Sequence, residues 1–111
     1  IMEQAIKEIT VEEIMQYLRG REERVYNDYY QQEMICYKVH VREDGKIIPE
    51  GCDVDYDLGK ISLNDLFEIE DEIFYVYTFP KVYDRDPEAA FVKASNFLAE
   101  KVNKWLHRIS R

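Results

Sequence analysis

Asp53, Asp55 and Asp57 alternate along the chain, and so do Glu68, Glu70 and Glu72. In an extended strand, residues i and i+2 point to one face about 6.6 Å apart. Each set would therefore form a row of carboxylates. Such a row approximates the phosphate spacing along one nucleic-acid strand. A domain carrying it would suit a nucleic-acid mimic that occupies a DNA- or RNA-binding enzyme. The same charges have a second use, because carboxylates on an exposed strand prevent edge-to-edge aggregation.

The stretch Asp53-Val54-Asp55-Tyr56-Asp57-Leu58-Gly59-Lys60-Ile61-Ser62-Leu63-Asn64-Asp65-Leu66 resembles the calcium loop of the EF-hand family, most closely from Gly59 to Leu66. That resemblance implies a calcium-responsive module. The loop requires oxygen ligands at positions 1, 3 and 5, glycine at 6 and a bidentate acid at 12. With Gly59 at position 6, the early ligand positions fall on Val54, Tyr56 and Leu58, one residue out of step with the aspartates. Position 12 is Asp65, where Glu is usual, and the preceding Lys46–Cys52 stretch contains Pro49 and Gly51 and cannot form the entering helix.

Other reactive side chains are sparse. Cys36 and His40 share one face of an alternating segment, but four residues of strand span about 13 Å. They cannot act as a nucleophile–base pair or share a zinc ion at bonds of about 2 Å. His107 belongs near the end of a helix, where a dipole contact suffices. No HExxH, CxxC, GxGxxG, Walker or GxSxG pattern occurs, and Ser62, Ser95 and Ser110 have no nucleophile-like setting. The expectation is a protein without catalytic, cofactor or metal residues.

Nine tyrosines accompany five phenylalanines and one tryptophan, with Tyr26, Tyr29 and Tyr30 clustered and Tyr75 and Tyr77 on one strand face. Tyrosine supplies area with a polar tip and is enriched at interfaces, although it is also a good strand former. The other cluster is basic: Lys101, Lys104 and Arg108 share one side of the last helix, followed by Arg111. A solvated helix face, or pairing with the chain's own acids, accounts for it.

Charge is the most unequal property of the chain. The net charge is −8 over 111 residues. Residues 43–72 hold eleven acids against Lys46 and Lys60, a net of −9, whereas residues 1–42 carry −2 and residues 73–111 carry +3. An acidic surface repels phosphate backbones, which disfavours direct nucleic-acid binding. The composition, 46% hydrophobic and 14% aromatic, can build one core, and the length fits a single domain over residues 1–111. No apolar run approaches the roughly 18 residues of a membrane span, and the N-terminal stretch lacks the apolar region of a secretory signal. Two cysteines are too few for a disulfide scaffold, so free thiols in a cytoplasmic setting are expected, with a single Cys36–Cys52 bridge as the alternative.

The elements that position these residues follow from periodicity. Met2, Ala5, Ile6 and Ile9 have helical spacing. Thr10-Val11-Glu12-Glu13 reads as a capping box, Ile14, Tyr17 and Leu18 as the apolar stripe that follows, and Gly20 as its stop. Residues 21–32 fit a helix or a strand. Met34 to Arg42 alternates as a strand, with Ile35, Tyr37, Val39 and Val41 inward and a more polar opposite face. Asp44-Gly45 predicts a hairpin turn, a return through Lys46 to Ile48, and an end at Pro49. Asp53 to Leu58 alternates again. Glu72 to Phe79 is apolar or aromatic on both faces, which predicts a central strand or one face covered by a partner. Asp86-Pro87-Glu88 opens a long helix. Its buried stripe is predicted as Phe91, Ala94, Leu98, Val102, Trp105 and Ile109, widened by Ala90, Phe97 and Leu106.

The predicted fold is α+β: an N-terminal helix, a three- to four-stranded mainly antiparallel sheet, and a long amphipathic C-terminal helix packed on one sheet face. The expected function is non-catalytic protein binding through an acidic, tyrosine-rich surface at Asp53, Asp55, Asp57, Glu68, Glu70, Glu72, Tyr75 and Tyr77. Inhibitors, immunity proteins and phage or mobile-element regulators are analogous in size and charge. The expected partner is another protein, including a nucleic-acid-binding enzyme under the mimic reading, and a homodimer is compatible. No membrane or direct nucleic-acid partner is expected. A small enzyme or calcium module is the remaining alternative.

Overall fold

The computed structural model describes residues 8–49 and 71–109. Along the chain lie α1 (Val11–Leu18), β1 (Glu23–Asn27), β2 (Gln32–Arg42), β3 (Asp71–Thr78), α2 (Pro80–Arg85) and α3 (Pro87–Ile109). The three strands form an antiparallel sheet in the order β1-β2-β3. This is the α+β architecture expected from the sequence.

Helix α1 starts at the predicted capping box. Glu13 N–H donates to the Thr10 hydroxyl at 3.1 Å, and Thr10 N–H donates to the Glu13 carboxylate at 3.4 Å. Two of the donors that a helix start leaves unpaired are thereby satisfied. Gly20 follows the C-cap with φ +77°, the left-handed conformation glycine adopts without strain. Ile14 and Leu18 are fully buried.

The ambiguous stretch after Gly20 is a strand and a turn. Val25 lies opposite Met34, and Asn27 opposite Gln32. Asn27 Oδ1 accepts the Tyr30 N–H at 3.1 Å, and Gln31 closes the turn at φ 54°. Asparagine favours such turns because its side chain substitutes for a backbone acceptor. The second predicted turn is also present: Gly45 has φ +85°, and Arg42 N–H donates to the Lys46 carbonyl at 2.8 Å. The return segment bridges Ile47 to Val41, and Ile48 N–H donates to the His40 carbonyl at 2.8 Å.

Of the two expectations for the aromatic strand β3, a central place or one face covered by a partner, the first is not seen among the described residues, where its sheet neighbour is β2 and β2 holds the centre. The "polar" face of β2 is also largely buried, with Met34, Cys36 and His40 inaccessible alongside Ile35, Tyr37, Val39 and Val41. Each lies beside cross-strand neighbours: Met34 is opposite Val25, Cys36 lies between Glu23 and Tyr77, and His40 is opposite Ile73.

Helix α3 packs across the inner face of the sheet. Asp86 caps it by accepting the Ala89 N–H at 3.1 Å. Phe91, Ala94, Leu98, Val102, Trp105 and Leu106 meet Ile35, Tyr37, Val39 and Val41 in one core, with Ile9, Ile14 and Leu18 beside them. Phe74 and Trp105 stack edge to face at 5.5 Å. Ile109, predicted within the buried stripe, and Phe97, predicted to widen it, are instead exposed. Phe97 lies on the flank of the stripe beside β3, and Ile109 is the last residue of the helix. Helix α2 was not foreseen; Pro80 occupies its first turn, where a missing N–H costs nothing.

A long-range clasp fixes the start of the chain's described region. Asn103 Oδ1 accepts the Ile9 N–H at 2.8 Å, and Asn103 Nδ2 donates to the Ile9 carbonyl at 3.0 Å. Both partners are part-buried, so their loss leaves backbone groups unpaired. Asn103→Ala is expected to destabilise the protein by about 1–3 kcal/mol in chemical denaturation. Hydrogen exchange at the Ile9 amide should accelerate more than exchange in β2. Equal acceleration throughout would show that the clasp is not local.

Candidate protein-binding face

The sheet has one face under α1 and α3 and another that no described helix covers. The register assigns side chains to the open face in opposite pairs: Glu23 with Cys36, Cys36 with Tyr77, Lys38 with Tyr75, and His40 with Ile73. Tyr75 is 59% exposed and Tyr77 38% exposed, with their rings edge to face at 5.6 Å. The strand alternation continues this row to Phe79, which is 42% exposed. Phe79 stacks on Tyr30 at 5.0 Å, and Tyr30 on Tyr29 at 4.9 Å. Five exposed aromatic rings therefore fall in two stacked groups, Tyr75 with Tyr77 on β3, and Phe79 with Tyr30 and Tyr29 between the end of β3 and the β1–β2 turn. Tyr26 is exposed as well, but it pairs with Glu33 on the other parity.

Of the residues singled out from the sequence, Asp53, Asp55, Asp57, Glu68 and Glu70 lie outside the described residues, as do Cys52 and the EF-hand-like stretch. Glu72 is exposed but sits opposite Val41, on the helix-side parity, so it does not share a face with Tyr75 and Tyr77. Tyr75 and Tyr77 are brought together as predicted. Phe79, and its contact with Tyr30 of the predicted tyrosine cluster, was missed. Its only sequence signal was the i, i+2, i+4 run Tyr75-Tyr77-Phe79, and Tyr30 joins through the hairpin, which periodicity did not resolve.

Beneath these rings the chemistry is quiet. Cys36 is a free, buried thiol, so the alternative bridge to Cys52 is not formed. Burial raises its pKa from 9.0 to about 11, outweighing the opposing effect of Lys38, while Glu23 adds to the rise. Lys38 instead pairs with Glu23 at 3.4 Å. At neutral pH this cysteine is a thiol and a poor nucleophile. His40 Nε2 lies 3.2 Å from Asp71 Oδ2, and its buried Nδ1 has no hydrogen-bond partner. Among the described residues no group of three or more His, Cys, Asp or Glu side chains is placed to hold a metal ion. No described helix is long and apolar enough to cross a membrane.

Comparison with known proteins identifies no relative: no protein-family model, curated protein or solved structure matches the chain.

Two buried acids make stability depend on alkaline pH. Tyr37, in the core, is raised from 10.0 to about 12, first by burial and then by the nearby Tyr83, Glu22 and Glu88. For Cys36 and Tyr37 the folded state holds its proton more tightly than the unfolded chain. Their favourable contribution is complete below pH 9 and is lost as pH rises through about 11 and about 12. Denaturation midpoints measured from pH 8 to 12 should therefore fall. In the Cys36→Ala, Tyr37→Phe double variant the fall should be shallower, and an unchanged slope would refute the assignment.

Proposed function

We propose that this protein is a non-catalytic binding domain that docks another protein on the open face of its sheet. The observation that carries this reading is the two stacked groups of exposed rings, Tyr75 with Tyr77 on β3 and Phe79 with Tyr30 and Tyr29 beyond its end. Aromatic rings on a rigid sheet lose little conformational freedom when a partner covers them, and tyrosine is among the residues that dominate interface energy. Exposed β3 tyrosines are unlike the scattered single apolar residues normal on a surface. The flanking Lys38–Glu23 and His40–Asp71 pairs would supply a polar rim. Inhibitor and immunity-type action are the functional classes this arrangement suits, because both work by covering a partner and need no catalytic group.

The test is affinity capture from the source cell with the intact chain, the Tyr75→Ala, Tyr77→Ala double variant, and an Asp53/Asp55/Asp57→Asn variant. The reading predicts one dominant captured protein, retained by the Asn variant. The tyrosine variant should bind it at least tenfold more weakly, with circular dichroism confirming that the variant is folded. Capture of a nucleic-acid-binding enzyme that depends on the aspartates and not on the tyrosines would replace this reading with the mimic.

A further inference from the structure

A second surface lies around the edge of β3, on the flank of α3. One groove of about 700 Å³ is lined by Phe74, Glu100, Lys101, Asn103, Lys104, His107 and Arg108. A neighbouring one of about 320 Å³ is lined by Ile73, Phe74, Tyr75, Phe97, Leu98 and Lys101. The two share Phe74 and Lys101 and form one trough beside the strand. Its floor is aromatic and its α3 wall is cationic, a reversal of sign on a chain of net charge −8. Among the described residues Glu100 is the one acid in the lining, and it is bound to Lys104 at 3.0 Å. Lys101 sits over the Phe97 ring at 5.3 Å with its charge outward to solvent, and Phe97 is itself exposed.

We infer that this trough accepts an acidic, extended segment of a partner protein, added alongside β3. Three features fit that occupant. Among the described residues β3 pairs with β2 alone, and from Ile73 to Thr78 it carries no charge to oppose edge pairing. In strand addition the main chain supplies affinity, and pockets beside the edge select alternate side chains. Alternate side chains of an added strand would point to the α3 side, where Lys101, Lys104 and Arg108 favour carboxylates; the intervening ones would lie beside Tyr75 and favour apolar groups. The surface meets the aromatic rings at Tyr75, but its cationic wall is supplied by α3, and its occupancy does not depend on those rings having a partner.

Fluorescence anisotropy with the full chain tests this, using the labelled synthetic peptides (Val-Glu)5 and (Val-Lys)5. The acidic peptide should bind saturably and weaken as salt rises, because exposed charge pairs are screened. The basic peptide should bind at least tenfold more weakly. K101E/K104E/R108E should lose at least tenfold for the acidic peptide, with K101Q/K104Q/R108Q between it and the parent; circular dichroism controls for folding. N-methylation of alternate amides in the peptide should abolish binding, and Tyr77→Ala should leave it intact, which separates this surface from the open-face reading. No saturable binding of (Val-Glu)5 overturns the inference. So does equal binding of the basic or N-methylated peptide, or binding seen only after the acids of residues 53–70 are neutralised, which would make the chain's own segment the competitor.

Discussion

The structure depends on burying strand β2 on both faces without orphaning its backbone. Eleven residues of main chain run through the centre of the sheet, and a buried N–H or C=O without a partner costs as much as a lost hydrogen bond. One edge is satisfied by β3 from Ile35 to Arg42. The other is shared: β1 covers residues 32–36, and the return segment reaches His40 and Arg42. Each of these neighbours is delivered by a tight turn, one built on Asn27 and Gln31, the other on Asp44 and Gly45. The two turns are therefore as necessary to the core as its apolar side chains.

That arrangement divides the sheet into unlike faces. On one side, α3 lays Phe91, Ala94, Leu98, Val102 and Trp105 over the β2 apolar residues. Burial there scales with area, at roughly 25 cal/mol per Å², so the helix side carries most of the stabilisation. On the other side, small or polar residues of β2 are shaded by flanking tyrosines whose rings remain half in water. Burial without charge pairing makes Cys36 inert, so the open face offers shape and aromatic area in place of reactivity. The same geometry that protects the thiol puts the rings outermost.

What could be read from the sequence was local. The capping box at Thr10, the Asp86-Pro87 helix start and the Asp44-Gly45 turn are each decided within about four residues, and all three are present. The inward face of β2 followed from alternation. Features set by distant parts of the chain were not legible. Strand β1 is amphipathic in neither period and is fixed by pairing. Burial of His40 and Cys36 follows from the central place of β2. The Asn103 clasp joins residues 94 positions apart. The candidate site divides in the same way. Tyr75 and Tyr77 were legible because strand parity is local, while Phe79 and Tyr30 meet only because the hairpin folds beside the end of β3.

The cations of α3 show how physical cause separates one surface from another. A helix dipole favours positive charge only within the last turn, so it accounts for His107 and Arg108. It does not account for Lys101 and Lys104, which lie farther back. Glu100 offsets Lys104 through an exposed i,i+4 pair, which solvent screens so that it contributes little. Stability therefore gives little reason for a basic stripe here, yet the stripe lies along β3, which carries no charge from Ile73 to Thr78. Long-range attraction orients an approaching acidic segment toward that edge before any contact forms. The open aromatic face, lacking such a field, selects by shape. In the two proposed readings, charge and aromatic area sort partners to two sides of the same strand.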